Sequence, residues 1–406
     1  MLAWPEAVRS AAAPSDPDRC APTVLTNAVQ VRRLTPDEAR RGYPVRLRAV
    51  VLYYHQQTFR DLMVQDETAG IYLSGTDGKN FRLSCGDVIE VTGRSGEGDF
   101  APVISVSNLA VVGRAPLPDA REVPYERLRM GNEDGQWVKV RGVARSIYSL
   151  PPTNSATFQM DVMTSGGRFN ARVTNFELEK IPELADAEVA VSGVCFPVFN
   201  RRHQLLYVRL SVPSLNQIEV VRPAPRDPFA VPTRAINTLL RFDPEAAHGH
   251  RVKIGGVVTL SEPGQFLFVR DQTQGMCIKT TEPCAVSVGD RIEAVGFAAG
   301  GEFSPVLEDA AVRKIGASHA PPATKMIATQ ARDGNYDSDL IEVEGRVLDW
   351  ISTPTEWIVV VAEKNFVFRA QLSRFGGVRM DPFPVGSRVQ LTGICLAQLA
   401  NQRWPQ

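Results

Sequence analysis

A chain that writes the same stretch twice is committed to a repeated fold. Residues 64–73 read VQDETAGIYL, and residues 269–278 read VRDQTQGMCI. Downstream of the first copy stands CGDVIEVTGRSGEGDFAPVI (85–104), and of the second VGDRIEAVGFAAGGEFSPVL (288–307). Both carry G-D-x-I-E, then a glycine, then an acidic residue, Phe, a small residue, Pro and Val in one register. A second pair interleaves with the first: VAVSGVCFPVFNRRHQ (189–204) with VQLTGICLAQLANQRW (389–404), each led by an alternating segment, GQWVKVRGVARSI (135–147) and SDLIEVEGRVLDW (338–350). The order is A-B-A-B. Gly93, Gly193, Gly296 and Gly393 mark the four units about a hundred residues apart, a domain-sized period rather than a solenoid one.

Each unit opens on alternating apolar and polar residues: VRLRAVV (45), VKVRGVA (138), VKIGGVV (252) and IEVEGRV (341). That period of two predicts half-buried strands. RDLMVQD, GIYLS, DVIEVTG and NARVT extend the pattern, and little helical periodicity intervenes. The expected fold class is all-β: four tandem OB-like five-stranded barrels, each with a short helical lead-in. Thr35, Pro36 and Glu38 predict a capping box in the first lead-in, with AINTLLRF (235–242) as the apolar counterpart before the third unit. QDETAGI reads as the hairpin between the second and third strands. Asp66 bonds the turn amides and Gly70 is free to take positive φ, an arrangement repeated by Asp271, Thr273 and Gly275. The modules are expected at 30–118 (A1), 119–224 (B1), 225–319 (A2) and 320–406 (B2), after a disordered tail at 1–29. Proline-rich joints at 113–124, 221–232 and 316–325 predict a semi-rigid row. B1 continues past FNRRHQ into a last strand, whereas B2 stops at ANQRWPQ. The fourth barrel is therefore expected to be incomplete, in a chain cut short.

Composition narrows the function. The 45 basic and 45 acidic residues cancel, so the basic surplus usual in a general nucleic-acid binder is missing. The six cysteines include no C-x-x-C pair, and read as buried thiols. No apolar run is long enough for a membrane span. The first twenty residues lack the apolar core of a secretory signal, which taken literally keeps the chain in the cytoplasm. No nucleophile elbow or triad pattern is present, so no catalytic residue is expected. HGHR (248–251) is an H-x-H without a third ligand and reads as a surface pair; no metal and no cofactor are expected. The Gly-rich SGEGDF and AAGGEF lie between strands, where a phosphate cradle would need a following helix.

Two clusters remain as ligand candidates. Tyr53, Tyr54 and Phe59, with His55 and Arg60, fall at the end of the first strand and in the loop after it, beside the face on which OB barrels stack rings. Arg46 and Arg48 add charge nearby. Arg201 and Arg202 sit in a B1 hairpin turn, suited to a carboxylate or phosphate.

The run YPVRLRAVVLYY…LMVQDETAGIYL…CGDVIEVTGRSGEGDFAPVI, followed by GVCFPVFNRRHQ, resembles the tandem OB-like sensory region of bacterial membrane-anchored sensor histidine kinases. The resemblance covers roughly residues 30 to 406. It implies an extracytoplasmic (periplasmic) input region that binds a small ligand or protein partner and precedes a membrane helix and kinase core. The phospho-acceptor and ATP-binding motifs of such a core are not in this sequence. The expected function is thus non-catalytic sensing in signal transduction. The alternatives are a cytoplasmic single-stranded nucleic-acid binder and a structural spacer array.

Overall fold

The computed structural model describes residues 24–55, 61–75, 81–149, 157–176, 181, 184–200, 202, 204–240, 249–262, 264–280, 284–374 and 383–398. Among these residues twenty-two strands and four short α-helices follow in chain order. The first barrel uses β1 (Pro44–His55), β2 (Asp61–Gln65), β3 (Gly70–Ser74), β4 (Asp87–Gly96) and β5 (Val103–Arg114), closed in the order β1-β2-β3-β5-β4. The second uses β7 (Trp137–Ser149), β8 (Phe158–Thr164), β9 (Gly167–Val173), β10 (Glu188–Phe199) and β11 (Leu205–Val212). Their order repeats the first, and the β10–β7 pairing closes the ring; β6 (Arg121–Glu122) and β12 (Ile218–Arg222) extend it. The third barrel is β13 (Val252–Glu262), β14 (Phe266–Arg270), β15 (Gly275–Lys279), β16 (Asp290–Gly300) and β17 (Pro305–Ala317), closed alike.

The fourth unit holds β18 (Thr324–Lys325), β19 (Leu340–Ser352), β20 (Glu356–Glu363), β21 (Phe366–Ser373) and β22 (Arg388–Ile394). Among the described residues no strand bridges β21 and β22, so this sheet is open. The marker glycines explain themselves against that difference. A Cβ at Gly93, Gly193 or Gly296 would press on the backbone of the fifth strand, at Ser105, Ser211 and Glu308; at Gly393 it would meet nothing within 4 Å.

One device recurs in all four units. The first strand carries a bulge, at Val51/Tyr53, Ala144/Ile147, Val258/Leu260 and Val347/Asp349. The carbonyl at each bulge accepts an N–H from the turn before the fourth strand: Gly86 to Val51 at 2.9 Å, Asp186 to Ala144 at 2.8 Å, Gly289 to Val258 at 2.9 Å and Gly386 to Val347 at 2.8 Å. The donor has positive φ each time: 88°, 73°, 92° and 90°. Glycine takes that conformation freely, while aspartate is tolerated at a cost. Asp186 alone breaks the glycine pattern.

The lead-ins depart from expectation in detail. α2 (Pro36–Ala39) has the Thr35–Glu38 capping box. The repeated stretch, however, holds the helix before it, α1 (Ala28–Arg32). The Asp66 carboxylate accepts the Ala28 N–H at 2.7 Å, and the Thr68 hydroxyl accepts Val29 N–H at 3.1 Å. In the third unit Asp271 and Thr273 do the same for Ile236 and Asn237, at 2.8 and 3.3 Å, and the lead-in is a 3-10 turn (Ile236–Thr238) rather than an α-helix. Leu25 pairs with Val45, and α1 crosses the expected 29/30 boundary, so residues 25–29 belong to the first module, not to a tail. α3 (Tyr125–Arg129) and α4 (Ala328–Ala331) lead into the second and fourth units.

The barrels dock in two ways. Gly70 packs against the carbonyl of Gly135, ahead of β7, and Gly275 against that of Ser338, ahead of β19, so closely that no side chain would fit. Close approach, not positive φ, therefore demands glycine here, since neither Gly70 nor Gly275 is among the positive-φ residues. The supporting loops match: Gly135 and Ser338 both have φ 67°, and their N–H groups bond Cys195 and Cys395 carbonyls, each at 2.8 Å. Phe100 lies over Gly131, and Phe303 over Gly334. A1–B1 and A2–B2 share this glycine contact and its supporting loop.

The joint between the pairs is built otherwise. Asp186 accepts from the Arg251 N–H at 3.0 Å and pairs with His250 Nδ1 at 3.0 Å. Arg145 donates to the Gly249 carbonyl at 3.1 Å, and Ser146 to Asp309. Arg145 and Arg251 both lie against the buried Phe297 ring, at 4.9 and 5.3 Å, a desolvated cation–π contact. The H-x-H histidine that is described, His250, thus serves this joint. His248 lies outside the described residues.

Candidate functional site: the outer face of the second barrel

OB barrels bind ligands on the outer face of the second and third strands and the loops flanking it. In A1 that face is spent. Outside the barrel, Leu52, Tyr53 and Met63 are buried, Tyr72 packs beside them, and all pack with Trp137, Val194 and Phe196 of B1. The Trp137 indole N–H donates to the Pro118 carbonyl at 2.9 Å. Gln136 seals the edge with two bonds to Gly70, accepting its N–H and donating to its carbonyl, each at 3.1 Å. The bulge at Val51/Tyr53 turns Tyr53 outward from its own barrel and into the neighbour, leaving it 2% exposed. This corrects the expectation for Tyr53: its ring is interface packing, stacked on His55 at 6.4 Å between centroids, with no face for a ligand. Tyr54 sits nearby with its hydroxyl donating to the Phe81 carbonyl at 3.3 Å. Phe59 and Arg60 lie outside the described residues.

In B1 the corresponding face is polar and only partly open: Tyr148 and Tyr207 reach solvent, while Arg172 and Arg209 are half-buried towards A1. β8 and β9 alternate so that Phe158, Met160 and Val162, with Phe169, Ala171 and Val173, fill the core. Gln159 and Asp161, with Arg168, Asn170 and Arg172, are left outward. Register places Arg172 opposite Gln159, Gln159 opposite Tyr148, Arg209 beside Asn170, and Phe196 opposite Arg209. Tyr148 and Tyr207 are each 43% exposed. Arg209 lies over the Phe196 ring at 5.1 Å. Arg168 pairs with Asp161 at 3.4 Å, and Asn170 also bonds Asp161. Burial first and Asp161 next push the Tyr148 phenol above its ordinary range, so it stays neutral. Burial first, then Arg172 and Arg209, hold His55 below the usual imidazole value, which marks the side of the face nearest A1 as electropositive.

Arg202 is exposed in the β10–β11 hairpin at the end of this face, its backbone N–H donating to Asn200 Oδ1 at 2.9 Å; Arg201 lies outside the described residues. The structure does not gather the residues singled out from sequence into one site: Tyr53 is enclosed, Tyr54 faces an inter-barrel cleft, and Arg202 borders the B1 face. Tyr148, Arg172, Tyr207 and Arg209 were missed. For Arg172, Tyr207 and Arg209 the signal lies in RFNARV and YVRLS, which place a polar or aromatic residue at every second position of strands whose other face is apolar.

Among the described residues no group of three metal-ligating side chains comes together, and no helix is long and apolar enough to cross a membrane. No family model matches the chain, and no curated protein matches it. Solved structures similar to it include a replication protein A heterotrimer bound to ssDNA (11% identity, covering 58% of this chain and 78% of that one, TM-score 0.23). The Ifi202 HINa domain in complex with 20bp dsDNA (12% identity, 43% and 95%, TM-score 0.20) is another. A third is the p204 HINb domain (14% identity, 43% and 95%, TM-score 0.20). Likenesses at these scores carry no functional weight.

Proposed function

We propose that this chain is a non-catalytic binding protein that presents the outer face of its second barrel to an anionic ligand with flat rings, single-stranded nucleic acid being the best fit. The observation that carries the reading is the pairing of exposed Tyr148 and Tyr207 with Arg172 and Arg209 on one barrel face. Bases stack on such rings whatever their identity, and guanidinium groups track the phosphates. The chain's zero net charge argues for a short local site rather than a long track. The sealed face of A1 fits the same conclusion.

A short oligothymidylate in fluorescence anisotropy tests this. Binding is expected at low salt, weakening as salt rises. Tyr148→Ala with Tyr207→Ala should weaken it about a hundredfold, two stacking contacts' worth. No binding at low salt, or a double variant that binds unchanged, would overturn it.

A second reading, the extracytoplasmic input region of a signalling protein, has the sequence resemblance and one structural feature in its favour. The joint between the two docked pairs is polar, so a ligand or protein partner with different affinity for two arrangements could bias it. That reading gains if a small molecule changes the joint while nucleic acid does not bind.

A further inference from the structure

Where A1 meets B1, the segment before β4 and the turns after β9 and β11 enclose a cleft of about 590 Å³. Cavities of this size, at the junction of two domains, are where small ligands usually sit. Its chemistry is one-sided. Among the described residues of the lining Arg82 is the one charged group, and none of them is an aspartate or glutamate. Asn175 and Ser214 face in from B1, their polar groups held by the Pro213 carbonyl at 3.1 Å and the Gln217 side chain at 2.8 Å. The Tyr54 ring, Leu117 and Pro213 supply apolar wall, and the bond from the Tyr54 hydroxyl to the Phe81 carbonyl fixes that ring. The cleft is separate from the B1 outer face, and it is lined by both barrels and the linker between them.

We propose that this cleft binds a small organic anion, a carboxylate carried on a flat apolar body, with Arg82 meeting the charge and Tyr54, Leu117 and Pro213 meeting the body. A guanidinium matches a carboxylate by paired N–H donors, and the fixed amide and hydroxyl groups on the B1 wall orient it. A ligand that touches both walls binds the docked A1–B1 arrangement in preference to a separated one, and so stabilises it.

The test uses 1-naphthoate as probe and 1-naphthalenemethanol as its neutral counterpart, titrated into the full chain at constant ionic strength by calorimetry. Saturable 1:1 binding of the naphthoate is expected, with the alcohol about tenfold weaker or worse, and Arg82→Gln equally damaging. Tyr54→Ala is expected to weaken both probes. Tyr148→Ala with Tyr207→Ala should leave naphthoate binding intact, and Arg82→Gln should leave oligonucleotide binding intact, so the two sites stand or fall separately. Equal binding of acid and alcohol, or naphthoate binding that survives Arg82→Gln, would overturn the proposal, as would failure of naphthoate to bind.

Discussion

The outer faces of the first and second barrels are built on the same strand order and end in opposite states. In A1 the face is apolar, with Leu52, Tyr53, Met63 and Tyr72, and it is covered by Trp137, Val194 and Phe196. In B1 it is polar and aromatic, with Tyr148, Gln159, Arg172, Tyr207 and Arg209, and its tyrosines meet solvent. The difference shows that a barrel's ligand face is also its most available docking surface, and that side-chain chemistry decides which use it serves. Burying an apolar face gains about 25 cal/mol per Å² without further demands, whereas fully burying arginines is costly, and Arg172 and Arg209 stay only half-buried. A1 is the barrel that gives its face away, and B1 the one that keeps it.

The comparison breaks first at the glycines. Gly70→Val should force A1 off B1 and cost about 3 kcal/mol by overpacking against the Gly135 carbonyl, read as a drop in denaturant midpoint. Gly275→Val should do the same at the second pair, against Ser338. If only one of the two variants is destabilised, the pairs are not equivalent. Asp186→Gly comes next. It keeps the positive φ and removes the carboxylate that meets His250 and Arg251, so the barrels should survive while the joint between pairs loses about 1 kcal/mol. Small-angle scattering should show a wider spread of sizes with little change in melting temperature; an unchanged profile would mean the latch is idle.

The smallest effect is a pH dependence. His55 is buried between the pair's two barrels and holds its proton less tightly folded than unfolded. The unfolded chain therefore binds more protons below about pH 6.5, and stability should fall as pH drops through that point, levelling off below the folded value. Melting curves at pH 7.5 and 5.5 should differ less for His55→Asn than for the native chain. An equal difference would remove His55 from the account.

The repeat made most of the fold legible. The all-β class, the A-B-A-B order and the strand sequence of the first three barrels follow from period-two patterning and glycine spacing. What stayed hidden depends on contacts between modules. Gly70 looks like a turn glycine in sequence, and only the docked neighbour shows that space, not φ, requires it. Asp186 looks like a loop carboxylate until its turn is superposed on Gly86, Gly289 and Gly386. For the site, sequence drew attention to adjacent aromatics, Tyr53 and Tyr54, because adjacency stands out. The B1 face is assembled from β7, β8, β9 and β11, whose residues lie far apart in the chain and meet only through register.

The central claim, that A1's face is closed while B1's is partly open, is tested most directly by mild tyrosine nitration of the intact native chain followed by peptide mass analysis. Tyr148 and Tyr207 should be modified early and Tyr53 only on unfolding, and oligothymidylate should protect the first two. Nitration of Tyr53 at the same rate as Tyr148 in the folded protein would contradict the account.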